Sequence, residues 1–356
     1  MWQARRVESY GKPTSGFKKL KTSLEPTEAD LGIEQTPVNR FFVCSGSAAP
    51  EPDRSSWTMT IDGDAADSPT EIALDDLMSL PHHVVDAWLE CAGNGRMLYQ
   101  YVGGYPWPEG ALDTGWTLGA MGMARWEGPR LSDVIALARP TSEFEWLSPT
   151  GLDDDNEDGE AARMCMPAAK ALDPDTIVAL RMNGEPLTPA HGAPARLIAP
   201  GWIGAYSVKW LGRIELSATW INSFRADEYY VLRTPDGTKL GPATTHPIKS
   251  SLALPWNAQL GSGSQVIHGY ARAAGNPIEA VEWRVDDGRW QHAELIRLPT
   301  KWGWTPFRFQ WDAVSGDHTI RTRATDVRGD VQPDTVPFNP HMILWNAVIP
   351  HPVQVL

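Results

Sequence analysis

The sequence predicts an α+β protein in which a mixed α/β domain is followed by an antiparallel β-sandwich. A chain of 356 residues exceeds the size at which a single hydrophobic core usually stops growing, so two domains are expected. Strand-like and helix-like segments alternate from Trp57 to about residue 219. From about residue 245, short strands of alternating polarity are separated by turns, which is typical of a sandwich.

These changes in pattern divide the chain into three segments. Residues 1–40 are polar, show little periodicity and contain three prolines, so we predict an extended N-terminal arm that lies on the body of the protein. We assign residues 41–219 to the mixed domain and residues 220–356 to the sandwich.

Individual elements follow from local patterns of apolar and turn-forming residues. In the mixed domain we predict, in order, a strand that enters a turn in WTMTIDGD (57–64), a short helix in EIALDDLMSL (71–80), a strand in VVDAWLE (84–90), a helix in RLSDVIALA (130–138) and a strand with a turn in TIVALRMNGEPL (176–187). In the sandwich, EWRVDDGRW (282–290) predicts a hairpin that turns at Asp287 and Gly288.

Composition excludes several classes of protein. The net charge of -13 argues against general affinity for nucleic acid or an anionic membrane, so an anionic substrate would need a local positive pocket. No apolar run reaches the roughly 18 residues that cross a bilayer, and no export signal precedes the arm. Three widely spaced cysteines fit neither a disulfide framework nor a zinc motif. We therefore expect a soluble, cytoplasmic protein.

Cys91 stands where a predicted strand gives way to a glycine-rich segment, ECAGNGR at residues 90–96. Functional groups are commonly presented at such places, because glycine permits tight backbone turns. A buried cysteine that packs as a small apolar side chain is the alternative. Arg96 would favour the thiolate that binds metals.

The segment ECAGNGR resembles the cysteine loop of the sulfite oxidase family. The resemblance continues, in the family's order, through LGAMGMARWEGPRLSDVI (118–135), HGAPARLIAPGWIGAYSVKWLGRIEL (191–216), HPIKSSLALP (246–255) and LWNAVIPHPVQV (344–355). It covers about residues 35–356. The family implies a molybdenum cofactor (molybdenum–molybdopterin) whose metal is bound by Cys91, and an immunoglobulin-like sandwich that serves as a dimerisation domain.

The resemblance also implies the surroundings of the cofactor. His191 and Arg196 match residues that hold the polar groups and phosphate of the pterin. The segment Ser207, Val208 and Lys209 matches a second phosphate-binding segment, and Asp153 matches an aspartate that contacts the cofactor. A guanidinium and an ammonium near turn N–H groups suit an anion.

Four further residues are implied for the substrate pocket. Arg96 and Trp116 match pocket residues, and Tyr230 matches the family's active-site tyrosine, with the adjacent Tyr229 as the alternative. Lys301, in KWGW, replaces an arginine that the family's second domain contributes. Arg96, Tyr230 and Lys301 would stabilise an oxyanion.

The sequence departs from the family in the segment from Phe42 to Gly46. Where the family's sulfite enzymes have F-V-R-N-H beside the cofactor, this chain has Phe42-Val43-Cys44-Ser45-Gly46. Cys44 thus replaces the substrate-binding arginine, at an expected cost of about two orders of magnitude in affinity for a buried dianion. Cys44 is interpreted as a neutral pocket wall, a second thiol near the metal, or a packed cysteine.

The family implies two-electron oxygen-atom transfer on a small sulfur oxyanion by a homodimer. Since no haem domain precedes the catalytic domain, we expect a separate electron-transfer partner, a cytochrome or another acceptor. A molybdenum-dependent reductase and a non-enzymatic binding protein remain alternatives. In the acidic run that begins at residue 153, a calcium loop is a weaker alternative, because Cys165 stands where its bidentate glutamate belongs.

Overall fold

The computed structural model describes residues 12, 15–20, 23–31, 34–107, 115–153 and 160–356. In the arm, strands β1 (Phe17–Leu20) and β2 (Ser23–Pro26) form an antiparallel hairpin, and a 3-10 helix follows at Glu28–Leu31. The buried Leu24 exchanges backbone hydrogen bonds with Val43. The described part of the arm is therefore attached to the body through β2.

The first domain mixes strands with short helices. Its elements are β3 (Thr58–Asp62), β4 (Thr70–Ala73), α1 (Leu74–Ser79), β5 (His82–Glu90), α2 (Arg96–Tyr101), β6 (Met121–Pro129), α3 (Leu131–Ala136), β7 (Trp146–Gly151), β8 (Met166–Pro167), α4 (Ala168–Ala171), β9 (Ile177–Ala179), β10 (Arg181–Met182), β11 (Glu185–Pro186), a 3-10 helix at Pro189–His191, β12 (Arg196–Ile198), a 3-10 helix at Gly204–Tyr206, and β13 (Leu211–Ser217).

These strands form two main sheets and one pair. The five-stranded sheet has the order β4-β3-β13-β7-β8, in which β3 and β13 are parallel. The four-stranded sheet, β11-β10-β6-β5, is antiparallel, and β9 pairs with β12. The ladder of β5 with β6 runs the full length of both strands, so it holds the end of β5 at a fixed place.

Most element predictions in this domain are confirmed. The strand predicted over 84–90 is β5, and the helix predicted over 130–138 is α3. The helix predicted over 71–80 is confirmed only from Leu74. Its first part is instead β4, because the backbone of Ile72 pairs with Met59 and its side chain is buried. Tertiary pairing here overrides a short helical pattern.

The second domain consists mainly of strands. A π-helix at Arg225–Tyr229 leads into the hairpin β14 (Val231–Arg233) and β15 (Lys239–Pro242). The remaining strands are β16 (Lys249–Leu252), β17 (Ala258–Leu260), β18 (Gly263–Arg272), β19 (Ile278–Val285), β20 (Gln291–His292), β21 (Glu294–Leu295), β22 (Thr305–Ala313), β23 (Gly316–Asp326) and β24 (His351–Val355).

Two sheets of this domain face each other across one apolar core. The first has the order β16-β18-β22-β21 and the second the order β17-β24-β23-β19-β20. Trp283 of β19 stacks on Phe309 of β22, with ring centroids 4.2 Å apart. The predicted hairpin is confirmed, since Trp283 pairs with Gln291. The α+β class with a β-sandwich is therefore confirmed.

The division of the chain at residues 219 and 220 stays a prediction. Ala226 and Ala243, which follow that point, pack in the core of the first domain together with Ile214. The sandwich core begins with Ile248. Within the residues that the structure describes, no helix is long and apolar enough to cross a membrane.

Candidate functional site

Cys91 lies at the point where β5 ends and the chain turns into α2. We call residues 90–96 the cysteine loop. The Cys91 N–H donates to the Ala120 carbonyl at 2.9 Å, and the Cys91 carbonyl accepts the Asn94 N–H at 2.9 Å. Gly95, which precedes α2, has a φ of 85°, a conformation that favours glycine. The loop therefore has one defined shape.

Arg96 and Trp116 pack against this loop because Gly93 carries no side chain. A Cβ atom at Gly93 would lie 2.7 Å from Arg96 Nη2 and 3.1 Å from Trp116 Cδ1. Both side chains are buried, and Arg96 Nε donates to the Met342 carbonyl at 3.3 Å. The absence of a side chain at position 93 thus gives the guanidinium room to lie directly against the cysteine loop.

Cys91 lines a cavity of about 210 Å³. The chain brings together in its wall most of the residues expected at the site, although they are far apart in sequence: Phe42, Cys44, Cys91, Asp153, His191, Arg196, Ser207, Val208, Lys209 and Tyr230. Phe42 contacts Trp116 edge to face, with ring centroids 6.3 Å apart. The cavity therefore extends from Phe42, near the N-terminal arm, to the turn at residues 207–209.

Arg196 and Lys209 give the wall of this cavity a positive character. Arg196 is buried, and its Nη2 donates to the Ser207 carbonyl at 2.7 Å, while its Nη1 donates to the His191 carbonyl at 3.1 Å. Burial lowers the pKa of Arg196 to about 9. Burial, followed by repulsion from Arg196, lowers the pKa of Lys209 to about 7. Burial also lowers the pKa of His191 well below its usual range, so the imidazole is neutral.

These lowered pKa values mean that the fold holds cationic groups where their charge is poorly solvated. A bound anion would compensate, because an opposite charge within a few ångströms favours the charged form. Asp153 provides part of this compensation and raises the pKa of Lys209. Its carboxylate also accepts the Ala162 N–H at 3.1 Å, so it is fixed in the wall.

Cys44 and Cys91 lie side by side in the cavity. Their Sγ atoms are 3.9 Å apart. The hydrogen bond between them lowers the pKa of Cys44 and raises the pKa of Cys91. Position 44 therefore places a thiol where a family arginine was expected.

Tyr229 and Tyr230 both line the cavity, so the choice between them stays open. Their rings meet edge to face with centroids 4.6 Å apart. The π-helix ends here, with the Tyr230 N–H donating to the Arg225 carbonyl at 2.8 Å. Burial raises the pKa of Tyr230 well above its usual value, so the phenol keeps its proton and can donate it in a hydrogen bond.

Lys301 is not brought into this group. Its ammonium lies 3.1 Å from the Asp175 carboxylate, the side chain is about half exposed, and it does not line the cavity. Its neighbour Trp302 donates to the same carboxylate at 2.7 Å. The resemblance at Lys301 therefore falls on a residue that lies outside the cavity wall.

Sequence reasoning missed other residues of the wall. Arg225, at the start of the π-helix, and Ser23, from β2 of the arm, both line the cavity. Arg225 lies five positions before Tyr230 in RADEYY, so it could have been found as a cation near the expected tyrosine. Nothing local in the sequence marks Ser23.

The calcium alternative falls on Asp154, Asn156, Asp158 and Gly159, which lie outside the described residues. Within the described part of the chain, no three His, Cys, Asp or Glu side chains converge to hold a metal ion.

Comparison with known proteins shows which family this chain resembles. Residues 46–224 match the family described as the oxidoreductase molybdopterin binding domain. Mitochondrial sulfite oxidase from Mus musculus is 34% identical over 337 residues, which cover 88% of this chain and 60% of the relative. Sulfite oxidase from Gallus gallus is 31% identical, over 85% of this chain and 68% of the relative.

One solved structure has the same fold over most of both chains. The sulfane dehydrogenase SoxCD from Paracoccus pantotrophus matches with a TM-score of 0.82 and 25% identity, over 93% of this chain and 84% of that one. This chain spans about three fifths of the length of the mouse relative. It carries the molybdopterin-binding domain, and it therefore belongs to the sulfite oxidase family of molybdenum-cofactor oxidoreductases.

Proposed function

We propose that this protein oxidises a small sulfur oxyanion by two-electron oxygen-atom transfer at a molybdenum cofactor bound through Cys91. The observation that carries the proposal is the single cavity in which the Cys91 thiol meets the buried cations Arg196 and Lys209. Sulfite oxidases and a sulfane dehydrogenase are among the relatives, which supports a sulfur substrate.

The residues present fit the cofactor. A thiol is a soft donor suited to molybdenum beside the pterin dithiolene. The poorly solvated charges of Arg196 and Lys209 suit a phosphate, which a guanidinium and an ammonium bind through charge-assisted hydrogen bonds. Ser207 and Val208 bring the backbone of the turn to the same wall.

When bound, the cofactor supplies the oxygen-atom and electron chemistry. The side chains of this protein hold the cofactor and orient it. Cys91 provides the protein ligand, and His191, Arg196 and Lys209 hold the polar end of the pterin. Phe42 and Trp116 exclude water on one side of the cysteine loop.

We assign substrate binding to Arg96 and to the tyrosine pair. Tyr230 lies in the cavity wall and keeps its proton, whereas the guanidinium of Arg96 packs on the cysteine loop and does not itself line the cavity; we propose that both donate to an oxyanion. Cys44 adds no positive charge. The pocket therefore favours a substrate that carries less charge than the sulfite dianion, and Lys301 is left out of the proposed site.

The proposal also covers the oligomeric state, the electron-transfer partner and the cellular compartment. We infer a homodimer formed through residues 220–356 and a separate electron-transfer partner, a cytochrome or another acceptor. The three cysteines are free thiols, which supports a reducing compartment such as the cytoplasm.

Metal analysis and steady-state assays of the purified protein test the proposal. We expect molybdenum in the protein and turnover of a sulfur oxyanion with an artificial electron acceptor, and no turnover in the Cys91→Ser variant. Reduction of an oxidised sulfur or nitrogen compound, with no oxidation of any sulfur compound in the panel, would instead establish a reductase. If the protein contains no molybdenum after expression in a host that makes the cofactor, the result would favour a non-enzymatic binding protein.

A further inference from the structure

The carboxylate of Glu90, directly before Cys91, is held by two cations of the second domain. Lys249 Nζ of β16 lies 3.1 Å from Glu90 Oε1, and Arg272 Nε of β18 donates to Oε2. All three side chains are about 2% exposed. Buried ion pairs often contribute little to stability compared with well-packed apolar residues, so the cluster is better explained by what it positions.

What the cluster positions is the cysteine loop. Asn94 Nδ2 donates to Glu90 Oε1 at 2.9 Å, and Asn94 Oδ1 accepts the Ala120 N–H at 3.1 Å. Lys249 Nζ also donates to the Asn94 carbonyl at 3.4 Å. The residue before Cys91 and the residue three positions after it are therefore fixed by the same ammonium group.

A third side chain of the second domain holds the backbone. His246 Nε2 lies 3.0 Å from the Glu90 carbonyl, which can only accept, so this nitrogen carries the proton. Burial lowers the pKa of His246 to about 3, so the ring is neutral. The loop that presents Cys91 is thus held by two cations and one neutral donor from outside its own domain.

The cluster also carries an excess of positive charge. Lys249 and Arg272 are cations, Glu90 is the one carboxylate between them, and His246 is neutral, so the sum is one positive charge. In a buried region this charge acts more strongly on its neighbours than a surface charge does. The residue next along the chain is Cys91, and a positive charge there favours added electrons at a metal that its sulfur binds.

We propose that Lys249 and Arg272 are positioning residues, which fix the cysteine loop through Glu90 and raise the reduction potential of the metal bound by Cys91. The second half of this inference rests on the proposed function. The first half concerns the protein alone, so the two can be tested separately.

The variant Lys249→Met tests both halves. It removes the charge and keeps an unbranched side chain that is one atom shorter. Because Arg272 still neutralises Glu90, no uncompensated charge is left buried. The matched control is Lys170→Met. Lys170 is another buried lysine, but its Nζ donates to the Pro200 carbonyl and not to a group of the cysteine loop. Thermal unfolding and circular dichroism select conditions in which both variants are folded.

The positional half is measured by hydrogen exchange of the peptide that covers residues 88–97. We expect faster exchange in this peptide in Lys249→Met, and no change there in Lys170→Met. Exchange equal to that of the unmodified protein would overturn the positional half. Hydrogen exchange can be measured without the cofactor. The positional half can therefore be tested even if the unmodified protein contains no molybdenum and the proposed function fails.

The electrostatic half is measured by a redox titration of the molybdenum-loaded protein, followed by the paramagnetic Mo(V) signal. We expect a lower midpoint potential in Lys249→Met than in Lys170→Met or the unmodified protein. The charge-conserving variant Lys249→Arg should restore the potential. A potential that is unchanged in Lys249→Met, or equally lowered in Lys249→Arg, would overturn the electrostatic half.

Discussion

Cys44 Sγ lies 3.9 Å from Cys91 Sγ, and both side chains form part of the wall of one cavity. A thiol thus occupies the position, next to the expected metal ligand, where the family resemblance placed an arginine. Since a thiol carries no positive charge, it cannot replace the charge-assisted hydrogen bond that a guanidinium makes to an oxyanion.

The first prediction concerns this position. We expect the unmodified protein to bind sulfite weakly, and Cys44→Arg to tighten the apparent affinity for sulfite by about tenfold or more, because it restores one charge-assisted pair in a partly dry pocket. The measurement is the KM for sulfite in steady-state assays. Cys44→Ser is the control, since it changes the sulfur without adding charge. Tight sulfite turnover by the unmodified protein would contradict the prediction.

The second prediction concerns Cys91. We expect about one molybdenum per chain in the unmodified protein and loss of most of the metal in Cys91→Ser, because a hydroxyl is a harder and far less acidic donor than a thiol. Elemental analysis of the purified proteins measures this. Cys165→Ser is the matched control. Cys165 is also buried, but it accepts the Ile221 N–H and does not line the cavity. Equal molybdenum in both variants would refute the assignment of the ligand.

The third prediction is a pH dependence. Burial lowers the pKa of Lys209 from 10.5 to about 7 in the cofactor-free protein. Between these values the unfolded chain holds a proton that the native state has lost, so the contribution of Lys209 to the free energy of unfolding rises with pH. Below pH 7 the folded protein carries the full cost of a buried charge. Lys209→Met should therefore raise the melting temperature most at pH 6, and progressively less up to pH 9.

The same substitution should lower the molybdenum content of the protein, because it removes a cation from the proposed phosphate site. Thermal unfolding at several pH values, together with molybdenum analysis, tests both statements. A shift in melting temperature that is the same at pH 6 and at pH 9 would contradict the first.

The fourth prediction concerns assembly. We expect a homodimer through residues 220–356, a region rich in tryptophan, which is favoured at interfaces. Apolar side chains such as Val266 and Val314 are more than half exposed on this domain. Light scattering at micromolar concentration should give about twice the chain mass of 39.2 kDa. A mass near 39 kDa alone would exclude the dimer.

Much of the fold and of the site could be predicted because each part is marked locally. Cys91 follows an apolar strand and precedes glycines, and Arg196 and Lys209 stand in a long segment that resembles the family. Lys249 could not be assigned in the same way. It meets Glu90 from 159 positions away, and a single lysine in a strand carries no sign of its partner.

Two expectations show where local patterns mislead. The residues of β4 look helical when taken together with α1, but pairing with β3 decides their conformation. Lys301 matched a short and loosely aligned motif, and its ammonium is instead paired with Asp175. In both cases the deciding partner lies elsewhere in the chain, so a window of neighbouring residues does not contain it.

Thr117 joins the arm to the cysteine loop. Its N–H and its hydroxyl both donate to Glu25 Oε1 at 2.8 Å, and its carbonyl accepts the Gly95 N–H at 2.6 Å. Glu25 lies outside the segment 46–224 that matches the family, and so does Lys249. A chimera that grafts this segment onto another protein would leave the donors of Thr117 and the carboxylate of Glu90 without their partners. The smallest unit that could be transplanted is therefore longer than the segment that matches the family, and it must include residues on both sides of it.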